Sequence, residues 1–188
     1  INKDKTMVIT PDESGVNRAI YYASMLNLPL GIFYRDRDYT NIVDGVAPVK
    51  NYRFIGNDIN GMDALIIDDM IKTGHTMMTT ASTLKEKGAR DIYYLAPFGL
   101  FTNGYEEFDK AYEDGLIKAV VSTNLIYRPK ELLEKEWYVD VNMIPFVARI
   151  IDALNVDESI GELINSTSRI TDFLSQVRLD ELIDEKID

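Results

Sequence analysis

The sequence predicts an α/β fold, a mainly parallel twisted sheet flanked by helices. Three observations carry that prediction. The runs Met7-Val8-Ile9 and Ala64-Leu65-Ile66-Ile67 have the unbroken hydrophobicity of strands buried on both faces. Each is followed by a short polar loop and then by a helical pattern. Strand and helix signals go on alternating toward Val141, as parallel strands joined by crossover helices require.

The first strand stops at Thr10-Pro11, because proline has no amide proton for a central ladder. The loop Asp12-Glu13-Ser14-Gly15-Val16-Asn17 then leads into a helix from about Arg18, with Ile20, Ala23 and Leu26 facing inward and Asn27 and Pro29 ending it. Residues 30–34 read as the second strand. Residues 35–61 hold no sustained period and read as a long loop, with a β-ribbon through residues 52–55. After residues 64–67 come Asp68-Asp69, a turn from Met70 to Thr76, and a helix with Met77, Ala81 and Leu84 at i, i+4 and i+7. Residues 92–96, 119–121 and 137–141 are further strands, with Trp137 expected as packing. Ile144, Val147, Ile151 and Leu154 mark a late amphipathic helix, and residues 159–174 carry a weaker helical pattern. Residues 1–175 are read as one domain and 176–188 as an acidic tail, solvated or frayed.

Composition removes several classes of function. Of the 188 residues, 46% are hydrophobic and 27% charged, which excludes a wholly disordered chain. There is no cysteine, hence no disulfide framework, thiolate metal site or cysteine nucleophile, and one histidine does not make a His-rich zinc site. Twenty Lys and Arg against 31 Asp and Glu give a formal charge of −11, which argues against nucleic acid and anionic membranes as partners. No apolar run approaches the ~20 residues needed to cross a bilayer. With no leader pattern either, the expectation is a cytoplasmic protein. The start at Ile1 reads as that of a fragment or processed product. Phosphate ligands stay allowed, since helix N-termini and divalent cations reverse an unfavourable net charge locally.

In open α/β sheets, ligands bind beyond the carboxyl ends of the strands. That rule selects the loops at Asp12–Asn17, at Asp68–Thr76, after Leu95, and at Ser122-Thr123-Asn124. The second is the most informative. Gly74 lets backbone approach a ligand, Thr73 and Thr76 offer hydroxyl donors, and the following helix presents free N–H groups and its positive dipole end, which together suit a phosphate. Asp68 and Asp69 cannot bind phosphate directly. They can accept hydrogen bonds from sugar hydroxyls or hold Mg²⁺. Acid pair and phosphate cradle together point to a phosphorylated polyol with a metal, such as ribose phosphate. The plain alternative is a solvent-facing turn. No P-loop string occurs, and no acceptor Asp ends a later strand as a phospho-receiver would need.

Residues 65–76, Leu-Ile-Ile-Asp-Asp-Met-Ile-Lys-Thr-Gly-His-Thr, resemble the phosphoribosyl-pyrophosphate (PRPP) motif of type I phosphoribosyltransferases and PRPP synthases. Residues 8–19, with Thr10-Pro11-Asp12 and Arg18-Ala19, resemble the Ser-Pro-Asp-x-Gly-Gly-x-x-Arg-Ala segment of ribose-phosphate pyrophosphokinases, as does Phe98-Gly99-Leu100-Phe101 of that family's later segment. The similarity runs from about Met7 to about Leu174 and corresponds to the C-terminal half of a synthase. The resemblance implies a type I phosphoribosyltransferase-like fold and Mg²⁺-dependent transfer of diphosphate from ATP to C1 of ribose 5-phosphate. It implies that Asp68 and Asp69 hold the ribose hydroxyls and that Lys72, Thr73, Gly74, His75 and Thr76 hold the 5-phosphate. It also implies a diphosphate loop of Asp12, Ser14 and Gly15 with Asp12 as Mg²⁺ ligand, and a flexible catalytic loop with Arg35 and Arg37. A homo-oligomer, dimer or hexamer, follows from the same resemblance. Two other readings use the same residues: a phosphoribosyltransferase that consumes PRPP, and a non-catalytic relative that regulates a synthase. Asp36 and Lys72, which depart from the usual letters, motivate the second.

Overall fold

The computed structural model describes residues 5–37, 40, 42, 49–165 and 167–184, without the side chains of residues 37, 49–51 and 177–184. Strands and helices are interspersed along it. In chain order they are β1 (Thr6–Thr10), a 3-10 turn (Glu13–Gly15), α1 (Val16–Leu26), β2 (Leu30–Arg37), β3 (Val49–Ile55), β4 (Asp63–Ile67), β5 (Met70–Ile71), α2 (His75–Glu86), β6 (Ile92–Leu95), β7 (Phe98–Gly99), α3 (Glu106–Glu113), β8 (Ala119–Thr123), α4 (Lys130–Leu133) and β9 (Tyr138–Val141). Then follow α5 (Ile144–Asn155), α6 (Gly161–Ile164) and α7 (Thr167–Asp184). Two compact units result, Ile1–Asn142 and Met143–Asp188.

The first unit is built on a seven-stranded sheet of order β3-β2-β1-β4-β6-β8-β9. Every neighbouring pair is parallel except β2 with β3. Strands β1 and β4 are buried at all five positions each, so both feed both faces. Met7, Ile9, Ala64 and Ile66 join the larger core with Met77, Ala81 and Leu84 of α2. Val8, Leu65 and Ile67 join the smaller core with Ala19 and Ala23 of α1.

Four expectations change in this unit. In α1 Ala23 is buried and Leu26 packs against the smaller core as expected, but Ile20 is 46% exposed and Ala19 takes the inward place. Asn27 does end α1, in a left-handed conformation. The charged segment at Arg35 is strand rather than flexible loop: β2 runs on to Arg37 and pairs with β3, Arg35 opposite Tyr52. Aromatic packing holds this ribbon, for Phe33 stacks on Tyr52 at 4.5 Å and meets Phe54 at 5.3 Å. What is left of the expected loop falls on residues 38–48, most of which lie outside the described residues, and on the connection at residues 56–61. Further elements went unread, and two of them shape the site. One is the small parallel sheet of β5 and β7. The other is α3, which buries Phe108 under Trp137 with ring centroids 5.2 Å apart.

The second unit holds α5, α6 and α7. In α5 the expected inward residues Ile144, Ile151 and Leu154 are exposed, while Ala153 is buried and Phe146, Val147 and Ile150 are half-buried. The boundary expected at residue 175 falls inside α7, which continues to Asp184, and residues 185–188 of the acidic tail lie outside the described residues.

Candidate functional site

The chain crosses from one side of the sheet to the other at β1, which lies between β2 and β4. Loops leaving the carboxyl ends of β1 and β4 therefore diverge and open a crevice, the place where α/β sheets bind ligands. The β1 loop carries Asp12 and the β4 loop carries Asp68 and Asp69.

Asp12 caps the 3-10 turn. Its Oδ1 accepts from the Ser14 amide at 2.9 Å and from the Ser14 hydroxyl at 2.5 Å. Its Oδ2 lies 3.0 Å from Arg35 Nη2 at the end of β2. A Cβ at Gly15 would fall 2.5 Å from Thr10 Oγ1, so only glycine keeps this tight return to β1.

Asp68 and Asp69 follow β4. The Asp68 amide still donates to Leu95 O at 2.9 Å, which extends the ladder to β6 by one residue. Asp68 Oδ1 accepts from the Asp69 amide at 2.8 Å, Asp69 Oδ1 accepts from the Met70 amide at 2.9 Å, and the Tyr94 hydroxyl donates to Asp68 Oδ2. Burial pushes the Asp68 carboxyl above the usual range. Burial acts on Asp69 too, but hydrogen bonds from Asp68 and the Met70 amide, with the charge of Arg18, hold it below that range. Asp69 is thus the more readily ionised member. Burial raises the Tyr94 hydroxyl well above its ordinary value, helped by the Asp68 charge, so it stays a donor. Tyr52 is likewise raised by burial, to about 12, and its hydroxyl donates to Pro11 O at 2.6 Å beneath the Asp12 loop.

The short strand β5 carries the chain from the acid pair to Gly74, whose φ of +93° caps α2 without any side-chain hydrogen bond. A Cβ at Gly74 would meet Phe108 Cζ at 2.5 Å. The turn is therefore pressed against the core, and the first α2 residues, His75, Thr76 and Met77, line the cavity beside it. Thr73 and Thr76 are half-buried, while Lys72 and His75 are exposed. Acid pair, turn, Asp12, Arg35 and Tyr94 line a single cavity of about 270 Å³. An adjoining lobe of about 230 Å³ is lined by Arg35, Tyr52, His75, Thr76 and Thr79.

The structure thus brings Asp12, Arg35, Asp68, Asp69, Lys72, Thr73, Gly74, His75 and Thr76 together. Ser14 and Gly15 shape the loop and are not among the residues lining the cavity, and the side chain of Arg37 lies outside the described residues. Thr123 is tied into a turn by its bond to Pro97 O at 2.7 Å. Sequence reasoning missed Arg18 and Tyr94 as site residues. Arg18 had a signal, its place in the Asp12 segment; Tyr94 had none beyond its strand. Among the described residues no group of three or more Asp, Glu or His side chains could hold a metal. Mg²⁺ is commonly bound through one or two carboxylates plus substrate phosphates; Asp12 would offer Oδ2 to it only once the Arg35 ion pair opens, since Oδ1 is held by Ser14.

Residues 37–165, more than half of the chain, match the family model described as a phosphoribosyl synthetase-associated domain. The chain belongs to that family. The phosphoribosyl synthetase-associated match begins after the Asp12 loop and Arg35, but similarity to relatives extends further. The ribose-phosphate pyrophosphokinase of Mycoplasmopsis pulmonis is 27% identical over 87% of this chain and 48% of its own. That of Caldanaerobacter subterraneus subsp. tengcongensis is 37% identical over 68% of this chain and 37% of its own. The chain spans at most about half the length of these curated relatives. In fold it resembles the phosphoribosylpyrophosphate synthetase of Mycobacterium smegmatis, with a TM-score of 0.67 at 22% identity over 82% of this chain and 47% of that one. The expected type I phosphoribosyltransferase-like α/β fold is therefore the fold of this family member.

Proposed function

We propose that the chain is the sugar-phosphate-binding half of a ribose-phosphate diphosphokinase, and that residues 1–175 form its phosphoribosyltransferase-like domain with 176–188 as an acidic tail. One observation carries this reading: an acid pair and a glycine-capped helix N-terminus open on one cavity together with Asp12 and Arg35. Asp68 and Asp69 accept hydrogen bonds from the ribose hydroxyls and orient the ring. The amides and hydroxyls from Lys72 to Thr76 hold the 5-phosphate, with the α2 dipole adding to the attraction. That fixes the C1 hydroxyl near Asp12 and Arg35. In the reaction the C1 oxygen bonds to the β-phosphorus of ATP, the bond to the α–β bridging oxygen breaks, AMP leaves, and the hydroxyl proton is released. Arg35, with Arg37 as its neighbour on β2, stabilises charge on the transferring group. Mg²⁺ bound at Asp12 would neutralise diphosphate charge. Two partner substrates, ATP and ribose 5-phosphate, a homo-oligomeric assembly and a cytoplasmic location belong to the same reading. Among the described residues no helix is long and apolar enough to cross a membrane.

The test is calorimetric titration of ribose 5-phosphate with Mg²⁺ into wild type, Asp68→Asn and Asp69→Asn. Saturable binding to wild type, weakened in both variants, is the expected result. A silent wild type, or variants that bind as well, would refute the proposal. Diphosphate release from PRPP with a nucleobase would instead make the chain a phosphoribosyltransferase. A full-length protein that binds sugar phosphate yet forms no PRPP from ATP would be a regulatory relative.

A further inference from the structure

Helix α1 starts where the Asp12 loop ends, and its third residue, Arg18, faces the acid pair. Arg18 Nη1 lies 3.9 Å from Asp68 Oδ1, and Nη2 lies 4.0 Å from Asp69 Oδ2. The two nitrogens of one planar guanidinium thus address two different carboxylates. Both distances exceed hydrogen-bond length, and Nη1 is buried without a hydrogen-bond partner among the described residues. The other bonds to the pair come from neutral groups: the Asp69 and Met70 amides and the Tyr94 hydroxyl. Among the described residues, both ion pairs of these acids run to Arg18.

Two adjacent carboxylates at a strand end repel each other and would splay when both are ionised. A cation across both opposes that, and a guanidinium does so better than an ammonium because its donors form a rigid fork. Held off at about ion-pair distance, it leaves carboxylate lone pairs available to a ligand. We propose that Arg18 is a positioning residue that bridges Asp68 and Asp69 and sets the spacing at which they accept hydrogen bonds from the vicinal hydroxyls of a phosphorylated sugar. This rests on the sugar-phosphate reading above and adds to it a residue that acts on the ring rather than on the phosphate. It also links the two loops of the crevice, since α1 carries Arg18 and begins at the Asp12 loop.

The proposal predicts selective damage. Wild type, Arg18→Met and Arg18→Lys are titrated by calorimetry with ribose 5-phosphate, 2-deoxyribose 5-phosphate and inorganic phosphate. In Arg18→Met, ribose 5-phosphate should bind roughly threefold to fivefold more weakly, the scale of a partly exposed ion pair. Inorganic phosphate should bind within about twofold of wild type, because the Gly74 turn is untouched. The preference for ribose over 2-deoxyribose 5-phosphate should shrink, and Arg18→Lys should recover part of it. Equal loss for all three ligands, or no loss, overturns the inference; inorganic phosphate binding also reports that the variant is folded. If Arg18→Met does not fold, Arg18→Lys decides alone, by a loss confined to ribose 5-phosphate or by none. A wild type that shows no preference for ribose 5-phosphate over inorganic phosphate overturns the sugar-phosphate reading and this inference with it. A preference that survives in Arg18→Met overturns the inference only.

Discussion

Gly74 is the point where core packing and the phosphate turn meet, and replacing it by alanine should damage both. Its φ of +93° lies in a region costly to a residue with a Cβ, by about 1–2 kcal/mol. The added carbon would also sit 2.5 Å from Phe108 Cζ and 2.9 Å from Cε2. Phe108 cannot yield easily. It is fully buried, stacked on Trp137 at 5.2 Å and edge-on to Phe101 at 5.0 Å. Overpacking of that kind costs about 1–3 kcal/mol. The two effects together predict a loss of roughly 2–5 kcal/mol, which in a chain of this size lowers Tm by roughly 4–20 °C. Urea denaturation followed by circular dichroism measures the loss. The steric part can be isolated with Phe108→Leu, which shortens the side chain that the new carbon meets. In that background Gly74→Ala should cost less, by about 1–3 kcal/mol, a coupling typical of residues in contact. Strict additivity of the two changes, or a Gly74→Ala protein as stable as wild type, would refute the reasoning.

Two further perturbations test the electrostatics. Asp63 Oδ1 accepts from Arg90 Nε at 2.7 Å and Oδ2 from Nη2 at 2.6 Å, and these bonds, with the Asp91 amide, hold its carboxyl below the usual range against the opposing effect of burial. A depressed carboxyl stabilises fully above its unfolded value of about 4 and loses that contribution as pH falls through the folded value. The fall in urea midpoint under acid should therefore be shallower in Asp63→Asn than in wild type, and an identical slope would count against it. Tyr94→Phe removes the hydroxyl that favours ionised Asp68, so a carboxyl already raised by burial rises further. Ribose 5-phosphate binding should then be lost at a higher pH on acidification than in wild type, and an unshifted profile would show that Tyr94 does not act on Asp68.

Legibility followed the range of the interactions involved. β1 and β4 were readable because burial on both faces makes a parallel strand apolar along its length, and Asp68-Asp69 stood out against the run that precedes them. The Gly74 turn was readable because its chemistry is local: a left-handed glycine, two threonines and a helix start lie within a few residues. The phase of α1 was readable only in part. Ala23 and Leu26 do face the core. Ile20 also looked like an inward residue, yet close approach to the sheet selected the smaller Ala19, and that choice belongs to the partner surface. The Arg35 segment looked like a loop because its charges hide a period of two. Phe33, Tyr52 and Phe54, brought together across the ribbon, make it a strand. β5 and β7 have two residues each, too few for any period to show. Tyr94 reaches Asp68 because β6 pairs with β4 in the register that sets Leu95 beside Ile67, and no spacing within either strand encodes that register. Arg18 combines both difficulties, since its reach to the acids depends on the phase of α1 and on the order of β1 and β4 in the sheet. A residue whose partners lie some 50 positions away in the chain looks in sequence like any helix-surface arginine. Its buried nitrogen, without a hydrogen-bond partner among the described residues, distinguishes it only once the fold has been built.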